Sequence, residues 1–552
     1  MRRVLRISLV LVVLASMVMF AIGSQAAPGK HHRHTPRWVK HVQKYPGGIS
    51  NGVRAYLTEG VRQAQARYAP AHRGTIFMSR RPAGSPFANI DMTTEPTIPK
   101  MPQNETAVAF NTASPGTAVA ASNDYVNGGL AIYTTHNFGR SWSTVFLTPR
   151  VPETGDFCSG GDPTVVYSAR DNAFYAAQLC FMRFHPESEI QVIQSKDNGD
   201  HWTGARFSSQ VITNFDDNLE DFDPSLFFDK ELLAIDNNPS SRFYGRLYIT
   251  YIKFHIQPSG FSDYCPVQLA YTDDVDPNND TDLQDTLWSH TSVVPDDPGG
   301  DGEGDTANQW AVPVVDDQGG LDISYASEDC NTSLDRALLF KRSTDGGVSF
   351  GPQVQIDKPG QWLDNPDLDD LLPNKNARIP LSPSMDFSPR LGALVYVVQN
   401  NVNSASSGAD ITGTFSTDYG TTWQNMQNVS HVGSSTSAAP GDQFFPWVSV
   451  DKSGGIHVIW FDNRNDPSNT LIETWELITK SLSFAPANFD ISTASWNPNN
   501  AFFSSGSFIG DYNGLDAVTK NLDYPVWTDG RNSPGPPLGE ADIFTVSHFR
   551  SH

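Results

Sequence analysis

Three aspartates, Asp162, Asp442 and Asp511, each stand just ahead of an apolar run that reads as a strand, and Tyr512 follows the last of them. Carboxylates gathered in a cleft shift one another's proton affinity and can divide acid and base roles, and a phenol beside them can act as nucleophile. Other polar residues flank strand-like runs in the same way. Before such runs stand Glu105, Asp229, Lys230, Gln309, Arg378 and Gln443. After such runs stand Asn123, Asp124, Glu328, Asp329, Asp462, Arg464, Asp529 and Arg531. Trp460-Phe461-Asp462-Asn463-Arg464 and Trp527-Thr528-Asp529-Gly530-Arg531 repeat one design. A plainer reading stands beside each: an Asp two residues before an Arg in a turn can be a local ion pair, and an Asp at a strand start can cap free N–H groups.

These residues act together only if the chain brings them to one place. From about residue 105 a pattern recurs every 60 to 75 residues or so: a short apolar strand, a turn, and a second strand rich in β-branched and aromatic residues. First strands are expected at 106–110, 163–167, 232–235, 310–315, 379–387, 446–450 and 514–518. Second strands follow at 117–121, 173–179, 246–251, 321–325, 393–398, 456–461 and 524–527. Such repeats bury their faces against their neighbours, which predicts an all-β propeller of about seven four-stranded blades, with six as the alternative. In an antiparallel blade the first strand lines the channel and the second returns to the face where the first began. Residues before first strands and after second strands therefore share one rim, the concave site of such a ring. The last repeat runs short of chain after 543–546, so a strand from before residue 105 is expected to complete it, with 74–79 as the candidate.

Four segments share a tighter pattern, Ser/Thr-x-Asp/Asn-x-Gly-x-x-aromatic: 135–142, 195–202, 343–350 and 416–423. The Asp or Asn accepts turn N–H groups, Gly supplies positive φ, and the ring packs beneath the hairpin. These segments resemble the Asp boxes (bacterial neuraminidase repeats) of the sialidase superfamily, over roughly residues 105–547. The resemblance implies that the turns join third and fourth strands, on the face away from substrate, and that Asp197, Asp345 and Asp418 are scaffold. Sialidases bind a substrate carboxylate with three arginines and use a Tyr–Glu pair as nucleophile with an Asp as acid/base. The resemblance thus implies Arg378, Arg464 and Arg531 as carboxylate binders and Tyr512 as nucleophile. Arg378-Ile379-Pro380 matches part of the family's first arginine motif, but Ala377 precedes it and it stands in the fifth repeat.

The reading that follows is a secreted sialidase-like glycoside hydrolase acting on extracellular glycans. Asp162, Asp442, Asp511 and Tyr512 are its catalytic candidates. Arg378, Arg464, Arg531, Glu105, Asp124, Gln443, Asp462 and Asp529 are its substrate-binding candidates. Two alternatives stay open. One is a non-catalytic propeller binding glycan or protein, with Tyr125, Phe444, Phe445 and Tyr512 as stacking surface. The other is a polysaccharide lyase with a Tyr or His base.

Composition bounds these readings. The 552 residues carry a net charge of −23, which argues against nucleic acid as partner. Only 18 % are charged, and 43 glycines and 38 prolines suit many short strands joined by turns. Residues 1–26 read as a signal peptide, with Arg2, Arg3 and Arg6 before an apolar run from 7 to 22 and small residues at 24–26. Residues 27–100 read as an extension, partly disordered, with a histidine-rich start at 30–34 and a short helix within 53–68; the propeller follows over 101–552. No later stretch is long and apolar enough to span a membrane. Cys158, Cys180, Cys265 and Cys330 in an exported chain suggest two disulfides, most economically between neighbours. No spacing suggests zinc and no cofactor is required, while acidic runs at 216–221, 300–305 and 367–370 leave Ca²⁺ open. A monomer with a glycan or glycoconjugate ligand is expected.

Overall fold

The structure, a computed structural model, describes residues 35–45, 48–58, 88–93 and 101–546, apart from breaks at 153, 205, 216–221, 281, 297–306, 333–334, 365–370, 402–407, 434–436, 504–505, 534 and 536–538. The acidic runs at 216–221, 300–305 and 367–370, the proposed signal peptide and the strand expected at 74–79 lie almost wholly or wholly outside these residues.

Seven antiparallel sheets are ordered innermost to outermost along the chain, each next to the following one. Blades 1 to 7 start with inner strands Gln103–Phe110, Thr164–Ser168, Leu226–Ile235, Asn308–Val315, Ser384–Ser388, Gln443–Val450 and Gly514–Thr519. The chain is a seven-bladed β-propeller. Second strands are the most deeply packed because both faces meet neighbouring blades: every residue of Ala118–Asp124, Ala173–Phe181, Leu321–Ser327 and Ile456–Asp462 is buried. That is why small, apolar and aromatic residues dominate both faces of these runs, with the few polar side chains buried too.

Blade 7 is composite. Its strands Gly514–Thr519, Leu522–Asp529 and Asp542–Val546 are completed by Asn89–Asp91, which pairs with Asp542–Val546 in the register Asn89↔Val546. An N-terminal strand thus closes the ring, at 89–91.

The four turn segments share one hydrogen-bond pattern between third and fourth strands. In 195–202, His201 N donates to Asp197 Oδ1 at 2.9 Å, Gly199 N to Ser195 Oγ at 2.9 Å, and the Trp202 indole to Gly199 O at 3.2 Å. Asn137, Asp345 and Asp418 receive the equivalent N–H groups of Ser141, Ser349 and Thr422. These side chains are committed to their own turns. Cys158 pairs with Cys180 and Cys265 with Cys330, as neighbour pairing predicts.

Among the described residues, two helices lie ahead of the propeller strands. Helix α1, Arg37–Lys44, buries Trp38, Val39, His41 and Val42, a stripe at helical spacing. Helix α2, Asn51–Thr58, starts two residues before the patch at 53–68 expected to hold a short helix and covers its first part; 59–68 lie outside the described residues. Among the described residues no helix is long and apolar enough to cross a membrane.

Candidate functional site

Each inner strand enters its ladder through an irregular step. Regular pairing with the second strand starts, or resumes after a bulge, at Ala107, Thr164, Leu232, Val312, Ser384, Trp447 and Gly514. Two residues earlier, six blades hold a non-glycine residue in the left-handed region: Glu105, Asp162, Lys230, Trp310, Ser382 and Phe445, with φ between 45° and 59°. Blade 7 places Tyr512 there. Each left-handed residue costs on the order of 1–3 kcal/mol. The result is convergence at one neck of the channel. Lys230 Nζ lies 2.6 Å from Asp511 Oδ2, 3.5 Å from Asp162 Oδ2 and 3.8 Å from Glu105 Oε1. It also sits over the Trp310 ring at 4.9 Å and the Tyr512 ring at 5.8 Å. Ser382 Oγ donates to the Asp511 carbonyl. Phe445 turns away and packs on Phe444 and Phe461.

Asn123, at the end of a second strand, ties the neck together. Its side-chain N–H donates to Glu105 Oε2 and to the Tyr125 hydroxyl, and its oxygen accepts from Asp162 N at 2.8 Å. Burial raises the Glu105 carboxyl well above its ordinary value, the negative charge of Asp162 adds to this, and Lys230 opposes it. Burial and the same charge push Asp229 up to about 8 and hold Glu231 high. Lys230 resists burial because Asp511, Asp162 and Glu105 favour its charged form. One ammonium thus serves a nest of carboxyl groups, among which burial raises Glu105 and Glu231 well above the ordinary range.

The first turn of α2 is seated on this nest. Ser50 N donates to Asp229 Oδ2 at 2.6 Å, Ser50 Oγ lies 3.4 Å from Asp162 Oδ1, and Gln309 donates to the Gly48 carbonyl. A Cβ at Gly52 would stand 3.0 Å from both Asp162 Oδ1 and Glu105 Oε2, so only glycine lets the helix approach this closely. The positive end of the helix dipole also faces the carboxylates. Further along, Tyr56 donates to the carbonyl of Gly129 at 3.2 Å and packs on Tyr125 at 4.4 Å between ring centroids. Trp38 of α1 packs on Phe181 and Phe227. The neck is closed: Glu105 and Asp511 are fully buried and Asp162 is 2 % exposed. On the other side of the neck the inner strands enclose a channel of about 340 Å³, lined largely by apolar side chains but also by Asp386 and Asp516.

The structure gathers Glu105, Asp162, Asp511 and Tyr512 from the sequence-based set and keeps others apart. The Tyr512 hydroxyl faces Pro163 O at 3.4 Å, and burial with the surrounding carboxylates raises its proton affinity. Asp442 is taken up by Lys375 Nζ at 2.7 Å, Asn469 Nδ2 at 2.6 Å and Ala409 N at 3.1 Å. Arg464 pairs with Asp462, donates to His431 O and stacks on Trp475 of its own blade. Arg531 pairs with Asp529, donates to Asn89 and stacks on Phe544. The two echoing motifs are therefore local braces, each guanidinium held by its own aspartate. Arg378 is buried. Gln443 donates to Pro440 O and Gly441 O, and Asp124 accepts from Val126 N and Asn127, its carboxyl pushed up to about 6 by burial.

A wider depression of about 530 Å³ lies at the turn face, by Arg242, Phe243, Arg246 and Asp345. It is far along the strands from the neck, and Arg246 there is bound to Asp273 at 2.7 Å. Lys230 and Asn123 carry the neck but had no role beyond the rim in sequence; Glu231, Ser50 and Gly52 left no signal at all.

No protein-family model matches the chain, and no curated protein matches it. Solved structures similar to it include the NanB sialidase of Streptococcus pneumoniae, 10 % identical over 69 % of this chain and 68 % of that one, with a TM-score of 0.40. The α-L-arabinofuranosidase Arb93A of Fusarium graminearum is 12 % identical over 86 % and 98 %, with a TM-score of 0.40. An ulvan lyase of polysaccharide lyase family 25 is 11 % identical over 81 % and 95 %, with a TM-score of 0.44. At these levels the likenesses carry no substrate, and the propeller rests on its own seven sheets.

Proposed function

We propose that the chain is an extracellular glycan-cleaving enzyme, a glycoside hydrolase for neutral sugars, with Glu105 as acid and Asp511 as base or nucleophile. The observation that supports this is the convergence of Glu105, Asp162 and Asp511 on Lys230 at one neck. Glycoside cleavage needs one carboxyl that gives a proton to the leaving oxygen and another that activates water or attacks the anomeric carbon. Glu105 suits the first role because burial and the charge of Asp162 raise its proton affinity. Asp511, beside Lys230, suits the second. In the hydrolysis the glycosidic C–O bond breaks, the leaving oxygen takes the Glu105 proton, and water supplies hydroxide to the anomeric carbon while its proton passes to Asp511. The excess of carboxyl groups favours a neutral ring over a carboxylated one. Arg464 and Arg531, committed to Asp462 and Asp529, favour the same choice over a sialoside. The two disulfides suit an oxidising setting outside the cell. Substrate reaches the neck when the first turn of α2 lifts.

The test is turnover on neutral aryl glycosides and polysaccharides, with a sialoside as the anionic control. Release from a neutral substrate is expected, with Glu105→Gln at least about 100-fold slower at unchanged melting temperature. Preference for the sialoside would overturn the substrate assignment. Full activity in Glu105→Gln would overturn the mechanism.

A further inference from the structure

Away from the neck, a second buried cluster joins blade 6 to the composite blade that closes the ring. His457 stands on the second strand of blade 6, Ile456–Asp462, and Glu476 on its third, Glu473–Thr479. Asp523 stands on the second strand of blade 7, Leu522–Asp529. His457 Nδ1 lies 2.8 Å from Asp523 Oδ2 and 3.4 Å from Glu476 Oε1. One potential ligand atom from each residue lies within 4.8 Å of the other two, and the side chains are at most 2 % exposed. On the other side of the ring, His457 Nε2 faces Asp451 Oδ2 at 3.5 Å. Asp451 is itself fixed, its Oδ1 accepting from Ser453 N, Ser453 Oγ and Gly455 N.

We propose that His457, Glu476 and Asp523 form a structural site for one first-row divalent ion, with Zn²⁺ the favoured occupant. Ligands about 2.0–2.2 Å from such an ion stand roughly 3.0–3.5 Å from one another, and the two distances from Nδ1 fall close to that spacing. One imidazole and two carboxylates suit Zn²⁺ or Mn²⁺, whereas Ca²⁺ takes oxygen ligands alone. Asp451, 3.5 Å behind the ring, is placed to orient a metal-bound histidine from the Nε2 side, leaving Nδ1 toward the ion. Binding exchanges one proton for the ion: Nδ1 gives up the hydrogen it shares with the carboxylates and takes the metal in its place. The site would cross-link blade 6 to the blade completed by Asn89–Asp91, where the ring closes. It is independent of the neck, and its fate does not bear on the hydrolase reading.

The full chain, expressed in Zn²⁺-supplemented medium and dialysed against metal-free buffer, is expected to retain about one ion per chain by elemental analysis. Glu476→Gln and Asp523→Asn should retain less than a tenth of that. Asp451→Asn should bind roughly 10- to 100-fold more weakly. The loaded chain should lose melting temperature when unfolded with a chelator. Wild-type protein that carries no ion after expression, and gains no stability when refolded with Zn²⁺ or Mn²⁺, would overturn the site. So would a Glu476→Gln chain that keeps its ion.

Discussion

Replacing Gly52 with leucine tests whether the closed neck is a working site. The added Cβ alone would meet two carboxylate oxygens at 3.0 Å and Ser50 Oγ at 3.2 Å, and the rest of the side chain would press on the same groups. Leucine favours helix over glycine by about 1 kcal/mol, so α2 itself should persist. Its first turn must instead lift. That movement breaks the Ser50 N–Asp229 hydrogen bond, whose acceptor burial keeps largely uncharged near neutral pH, and the Gln309–Gly48 bond, each worth about 0.5–1.5 kcal/mol. The closed form thereby weakens by roughly 1–3 kcal/mol, a factor of about 5 to 150 in the open population. Helix α1, anchored by Trp38, remains docked. Hydrogen exchange followed by mass spectrometry on a peptide covering 48–58 should show faster exchange, and kcat/KM on a neutral glycoside should rise at least about fivefold. Faster exchange without any gain in turnover would refute the assignment of the neck as the active site. Unchanged exchange would refute the geometry that seats Gly52 on the carboxylates.

Two further outcomes follow from the same buried charges. Lys230→Met leaves Glu105, Asp162 and Asp511 without their shared cation, and removing one partner of a buried ion group costs about 3–5 kcal/mol; denaturant unfolding at pH 7 reads this, and a loss below about 1 kcal/mol would contradict it. Asp516, buried in the channel with its Oδ2 accepting from Phe110 N at 3.0 Å, has its carboxyl pushed up to about 7, chiefly by burial and then by the nearby Asp386. A carboxyl that binds its proton more tightly folded than unfolded adds stability below about pH 4, and that stability is lost as pH rises through about 7. The melting temperature should therefore fall between pH 5 and 8, and less steeply in Asp516→Asn, with Asp229, Asp386 and Asp124 supplying the remaining slope. Identical slopes would discount the buried charge.

Much of the architecture was legible because its signals are local. Strand runs at a regular period, the Ser/Thr-x-Asp/Asn-x-Gly turns and the neighbouring cysteines each need only a few residues to declare themselves. Ion pairs such as Asp462–Arg464 were foreseeable for the same reason, since two residues of separation define them. The site was legible only as a rim. Which rim residues meet depends on left-handed steps at Glu105, Asp162 and Lys230, conformations that no non-glycine side chain advertises. It depends also on pairs such as Lys230 with Asp511, 281 positions apart, and Ser50 with Asp229, 179 apart. His457 and Asp523, 66 apart, belong to the same class. Sequence determined the repeating unit through short-range sterics and hydrogen bonding. Closure of the ring, and the burial that comes with it, decided which charges face one another, because Coulomb energies and desolvation depend on distances that only the assembled blades define.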